Sequence, residues 1–359
     1  MHLNLSNSKL PLTRLLLVAP FFLWGTAMVA MKGVMSETTP FFVAVVRLLP
    51  AGLLVVAIAT LWGRPQPKGW LAWLWISLFA LVDGTLFQGF LAQGLARTGA
   101  GLGSVMIDSQ PLAVALLAGW FYREQIGLWG WLGLGLGIAG ISLIGLPDQL
   151  VFSLWQGGIH PQDWLAPAAI ATSLSRLVNS GEFLMLLAAL AMAVGTVMMG
   201  RVSRYADPIM ATGWHMILGG LPLALGSGLW ETEQWNNLHL SDWLSLSYAT
   251  VFGSAIAYGL FFYFAAQGNL TSLSSLTFLT PVFALTFGNL ILAEVLTPLQ
   301  LAGVGLTLVS IYLVNQRQQL AEVLQRRRAA TAIDAIEYLS PVSLELQGAE
   351  PSSVAGDRG

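Results

Sequence analysis

A chain of 359 residues with 55% hydrophobic and only 9% charged positions is too poor in charge for an ordinary soluble domain, where about 25% of residues are charged. A net charge of −2 with scattered Lys and Arg offers no basic field to nucleic acid, and the lack of Cys excludes disulfides, thiolate nucleophiles and Cys-ligated metal. A mean hydropathy of +0.70 with 38 Gly and 14 Trp fits a polytopic helical membrane protein, because Gly permits close helix approach and Trp anchors at interfaces.

Apolar runs separated by short polar or Gly/Pro breaks predict ten transmembrane helices, at about 13–32, 41–62, 70–95, 100–121, 126–146, 182–203, 208–230, 243–267, 272–292 and 298–316. The first run is longer than the apolar core of a signal peptide and is kept as helix 1. Residues 147–181, with Pro147, Pro161, Pro167, Trp155 and Trp164, read as an extramembrane loop lying partly on the interface. Residues 317–359 read as a polar tail, helical at first and disordered beyond about Leu339. The chain thus divides into 1–12, 13–146, 147–181, 182–316 and 317–359.

Orientation follows from the basic residues. With the N-terminus inside, Lys9, Arg14, Arg64, Lys68, Arg123, Arg201, Arg204, Arg317 and Arg326 to Arg328 are cytoplasmic, whereas only Lys32, Arg97 and Arg176 lie outside. Both termini are therefore expected in the cytoplasm, of a bacterial inner membrane.

An offset of 170 residues superposes Gly25 on Gly195, Gly89 on Gly259, Pro111 on Pro281, Glu124 on Glu294 and Gly133 on Gly303; with a two-residue adjustment Pro40 and Arg47 meet Pro208 and His215. Each copy holds five helices, an odd number, so the second crosses in the opposite sense. Such an inverted repeat is typical of secondary transporters, whose site lies between the halves near the midplane.

These residues, with Trp24 in helix 1, resemble the EamA-type ten-helix members of the drug/metabolite transporter superfamily over about residues 13–316. The resemblance implies an all-α basket of helices 1–4 and 6–9 around a central cavity, with helices 5 and 10 packed to one side. It also implies export of small metabolites such as amino acids. The sequence departs from the family at Val194, where a Trp would match Trp24, and at His215, where an Arg would match Arg47.

The glycines have their own physical reading. Gly130, Gly133, Gly137 and Gly140 share one face of helix 5, and helix 10 repeats that face with Gly303, Thr307 and Ser310, which suits close packing. A nucleotide loop is excluded because these glycines lie inside an apolar span, and there is no phosphate-binding GxxxxGK[ST] motif.

Ionisable groups within membrane spans are the default functional candidates. Counting along the helices places Arg47 and Asp108 in the outer third, Asp83 near the midplane and His215 in the inner third. Equal depth suggests that Arg47 pairs with Asp108, as a fixed ion pair, an outer gate or a zwitterion site. Asp83 reads as a neutral hydrogen-bonded acid or as a proton or amine site, and His215 as a satisfied interior histidine or a functional group. Glu124 and Glu294 stand at the starts of helices 5 and 10, where a carboxylate suits the positive end of the helix dipole. Trp24, Trp214, Tyr258 and Tyr263 either line the cavity or pack the core.

The resulting expectation is a secondary transporter of small organic metabolites, without cofactor or metal, working by alternating access with protons as a candidate coupling ion. A nucleotide-sugar or sugar-phosphate carrier of the same fold is the alternative within the class. A membrane enzyme or lipid-handling protein is the alternative outside it, and no metal-ligand cluster or Ser/His/Asp arrangement supports that one.

Overall fold

The structure, a computed structural model, describes residues 11–122, 127–145, 175, 178–266, 276–317 and 319–323. Residues 1–315 form one compact unit and 316–359 a second. The expected loop at 147–181 and tail at 317–359 lie mostly outside the described residues, as does Glu124.

Among the described residues of the first unit ten helices follow one another, with no strand. They are α1 (Pro11–Val34), α2 (Pro40–Leu61), α3 (Trp70–Arg97), α4 in two pieces (Ala100–Ile107 and Gln110–Tyr122) and α5 (Gly127–Gly145). The second set is α6 (Gly181–Val202), α7 (Pro208–Trp230), α8 (Leu240–Thr250 running on to Ala257–Ala266), α9 (Leu279–Leu292) and α10 (Pro298–Asn315). Eight are long and apolar enough to cross a bilayer unbroken. The other two are α4 and α9, which are pseudo-equivalent. Leu53, Leu61, Trp131, Leu229 and Leu290 are exposed on the outside of the bundle, as lipid contact requires. The chain is thus an all-α polytopic membrane protein.

The expected continuous helix 4 is corrected by a break at Asp108 and Ser109, just before Gln110 and Pro111. Pro lacks an N–H and crowds the carbonyl four residues back, so a helix is weakest in the turn before it. The repeat mate behaves alike: residues 276–278 are a turn, and α9 starts just ahead of Pro281. A second irregularity is also duplicated. Helix α3 passes through a π-helical stretch at Ala80–Leu86 and α8 through one at Val251–Ile256. Discontinuous helices and π turns are where transporters and enzymes place functional groups.

Helix starts show how the sequence sets the ends. Pro40 and Pro208 each open a helix, where the missing N–H loses nothing. Asp207 caps α7 by accepting from the Ile209 and Met210 amides. Helix α2 is capped from across the bundle: Glu231, just beyond α7, accepts from the Phe41 and Phe42 amides and from the Thr39 hydroxyl. Glu294 likewise accepts from the Ala100 and Gly101 amides at 2.6 and 3.0 Å. Its carboxylate therefore caps α4 and not α10, a correction to the expected local role. Ala293, left-handed at φ 53°, turns the chain back to make this reach possible. That conformation is uncommon for a residue with a Cβ.

The halves meet through small residues. Gly133 and Gly140 pack α5 onto α10, and a Cβ on Gly140 would sit 2.7 Å from the Gly303 carbonyl oxygen. Between α3 and α7, a Cβ on Gly84 would come 2.8 Å from the Gly219 Cα. Here the absence of side chains lets the backbones touch.

Candidate functional site

The repeat locates the centre of the molecule. Gln88 on α3 and Tyr258 on α8 are 170 positions apart, and the Gln88 side chain is close enough to act on the Tyr258 hydroxyl. Two points related by a twofold axis that also touch each other must lie beside that axis. Transporters built from inverted repeats place their substrate site beside such an axis. Asp83 and Arg47 are both within electrostatic reach of the Tyr258 hydroxyl.

Asp83 stands in the π stretch of α3 and is buried. Its Oδ2 lies 3.2 Å from His215 Nε2 on α7, and its carboxyl rests on Gly195 of α6, where a Cβ would approach Oδ1 to 2.5 Å. The contact joins a residue counted near the midplane on α3 to one counted in the inner third on α7. His215 Nδ1 is within hydrogen-bond reach of the Thr212 carbonyl oxygen, and its ring lies 4.4 Å from that of Phe79.

The expected Arg47–Asp108 pair is also corrected: no ion pair joins them among the described residues. Asp108 sits at the break of α4 and accepts from the Ser104 hydroxyl at 3.1 Å, while Arg47 and Tyr258 line the same cavity. That cavity, of about 60 Å³, is lined by Asp108 as well, together with Trp24, Gly253 and Thr280. Trp24 Nε1, Arg47 Nε and Thr280 Oγ1 are buried without a hydrogen-bond partner among the described residues. Native interiors seldom leave such atoms unmatched, and here three belong to residues around one cavity.

That cavity has room for a few waters, so admitting an organic solute requires the walls to part. A guanidinium and a carboxyl on different helices, a phenol and an indole would meet the guest. Tyr258 and Trp24 themselves pack edge to face at 5.2 Å.

The remaining candidates divide. Of the two roles open to Trp214, the structure shows packing near the helix end: its Nε1 donates to Gln66 Oε1 and its ring stands edge-on to Trp73. The side chain of Tyr263 lies outside the described residues. Pro40, Pro111, Pro208, Pro281, Gly133, Gly303 and Glu294 shape helix starts, breaks and contacts. Sequence reasoning misses Gln88 and Thr280. A signal for Gln88 exists, because a polar residue inside a span whose repeat mate is also polar falls near the axis.

Comparison with known proteins follows the same outline. The EamA-like transporter family matches residues 12–146 and 179–316. An uncharacterized transporter of Synechocystis sp., sll0355, is 65% identical over 306 residues, covering 85% of this chain and 90% of that protein. The WAT1-related protein At3g02690, chloroplastic, of Arabidopsis thaliana is 54% identical over 307 residues, covering 83% of this chain and 68% of that protein. One solved crystal structure aligns with a TM-score of 0.56 at 18% identity, covering 87% of this chain and 97% of that one. The likeness there is one of fold.

Proposed function

The chain belongs to the EamA-like transporter family, and from that premise we propose that it carries small zwitterionic metabolites of the amino-acid type outward across the membrane. Movement is by alternating access: the two five-helix halves rock about the central cavity, opening it to each side in turn. Protons drive the cycle. Both termini and the Arg64/Arg204 end of the bundle face the cytoplasm, following the excess of basic residues there, and the membrane is a bacterial inner membrane.

The observation that carries the substrate class is the cavity between Arg47 and Asp108. Its walls offer a guanidinium whose Nε lacks a partner among the described residues and, on a different helix, a carboxyl. A zwitterion matches both at once, its carboxylate on Arg47 and its ammonium on Asp108, leaving its side chain to Trp24 and Tyr258. Neither group then stays buried and uncompensated, which is the condition for a charged pair to be tolerated in an apolar medium.

Thermal unfolding of the purified protein in detergent tests this with three probe sets: neutral L-amino acids, their methyl esters and their N-acetyl derivatives. A ligand at 100 times its Kd stabilises by about 2.7 kcal/mol. At least one free amino acid should raise the unfolding temperature, and its ester and N-acetyl form should not. Equal stabilisation by a singly charged derivative, or none from any free amino acid, contradicts the zwitterion site.

A further inference from the structure

We propose that Asp83 and His215 form a binding site for a single proton, and that this proton fastens α3 to α7; its assignment as the coupling proton rests on the transporter reading above. A carbonyl oxygen only accepts, so the contact with Thr212 commits the Nδ1 hydrogen of His215 to that carbonyl. In that tautomer a neutral imidazole presents a bare lone pair at Nε2. Asp83 Oδ2 stands 3.2 Å from this nitrogen, and an ionised carboxylate offers only lone pairs as well. The contact exists only with one proton between them, carried either as imidazolium beside carboxylate or as imidazole beside carboxylic acid. Both descriptions hold the same proton.

Removing it leaves two lone pairs facing each other inside the bundle. Asp83 is 7% exposed and His215 2%, so little bulk water reaches them to relieve the repulsion. The same helices touch at Gly84 and Gly219, and the Thr85 hydroxyl donates to the Gly219 carbonyl oxygen. Separation at the pair must therefore loosen the α3–α7 contact as a whole. Helix α3 belongs to the first half and α7 to the second, so the proton bridges the two bodies whose relative motion alternating access requires. The π stretch that holds Asp83 supplies a segment of backbone able to change register.

Few charges compete. From α8 the Tyr258 hydroxyl acts on Asp83, and Arg47 on α2 acts on that same hydroxyl. From α6 the neighbour is Gly195, while Arg201 on that helix lies over the Trp75 ring. The other close group, the Phe79 ring, carries no charge.

The test uses spin labels on cysteines placed at Leu71 and Tyr205, which the Cys-free chain allows, near the α3 and α7 ends of the bundle. Interspin distances are measured in lipid nanodiscs from about pH 5 to about pH 8, the range in which a histidine site ordinarily exchanges protons. Wild type should shift from a short to a longer distance as the pH rises. Asp83→Asn should stay at the short distance throughout, because its Nδ2–H donates to Nε2 and has no proton to lose. Asp83→Ala should stay long. A wild-type distance indifferent to pH, or an Asp83→Asn protein that still shifts, overturns the proposal. No solute is present, so an intact switch in a protein without amino-acid flux would fault the substrate assignment and leave the proton site standing.

Discussion

Gln88 and Tyr258 are repeat mates that meet: they stand 170 residues apart, and the Gln88 side chain acts on the Tyr258 hydroxyl. The contact puts a carboxamide and a phenol at the one place where the two halves are nearest to symmetric, and it makes them differ there. The oxygen of the Gln88 amide has no partner among the described residues, so the pair is only half satisfied.

The first prediction follows from that balance. Tyr258→Phe strands the Gln88 side chain and should lower stability by about 1–3 kcal/mol, whereas the Gln88→Leu, Tyr258→Phe double variant, with both partners apolar, should lose much less. A double-mutant cycle on denaturant unfolding in detergent reads the coupling. Additive losses would mean that the two side chains do not interact.

Gly195 permits Asp83 to lie against α6. Adding a methyl there forces the carboxyl away from a position 2.5 Å distant, an overpacking expected to lower stability by about 1–3 kcal/mol. Gly135, where an added methyl would meet open space, is the control: Gly135→Ala should be neutral or slightly stabilising. Unfolding temperatures of Gly195→Ala and Gly135→Ala, compared side by side, check the difference.

The two carboxylates that reach across the bundle act as helix caps. Glu231→Ala should cost about 1–2 kcal/mol through α2, and Glu294→Ala a similar amount through α4. They cap different helices, so their effects should add to within about 0.5 kcal/mol. A non-additive pair would indicate that both caps report one shared rearrangement.

Topology is open to labelling, since every introduced cysteine is the only one in the chain. An impermeant maleimide added to intact cells should modify a cysteine at Asn236 and spare one at Arg204, both exposed positions. The reverse pattern would invert the orientation and with it the direction of export.

Much of this architecture is legible in the sequence because it is written twice. Pro111 and Pro281, or Gly133 and Gly303, single out their positions by recurring at one interval, which composition alone never does. The π stretches are also duplicated but carry no residue signature, since Asp83 falls opposite Gly253. The Asp83–His215 contact is hidden for a related reason. Depth counted along a sequence does not say which faces of α3 and α7 meet, and the Asp83–His215 contact is a matter of facing. Trp214 shows the complementary limit: an aromatic in an apolar helix reveals its helix but not its neighbours, and its partner Gln66 belongs to the connection between α2 and α3.

The most direct measurement of the central claim is counterflow in proteoliposomes preloaded with unlabelled neutral L-amino acids, comparing wild type with Arg47→Gln and Asp108→Asn. Labelled amino acid should accumulate transiently in wild-type vesicles and not in those of either variant, with all three proteins folded to similar extent. Wild-type vesicles that fail to exchange any of these amino acids, or variants that exchange them as fast as wild type, would contradict the claim that the cavity between Arg47 and Asp108 carries a zwitterion across the membrane.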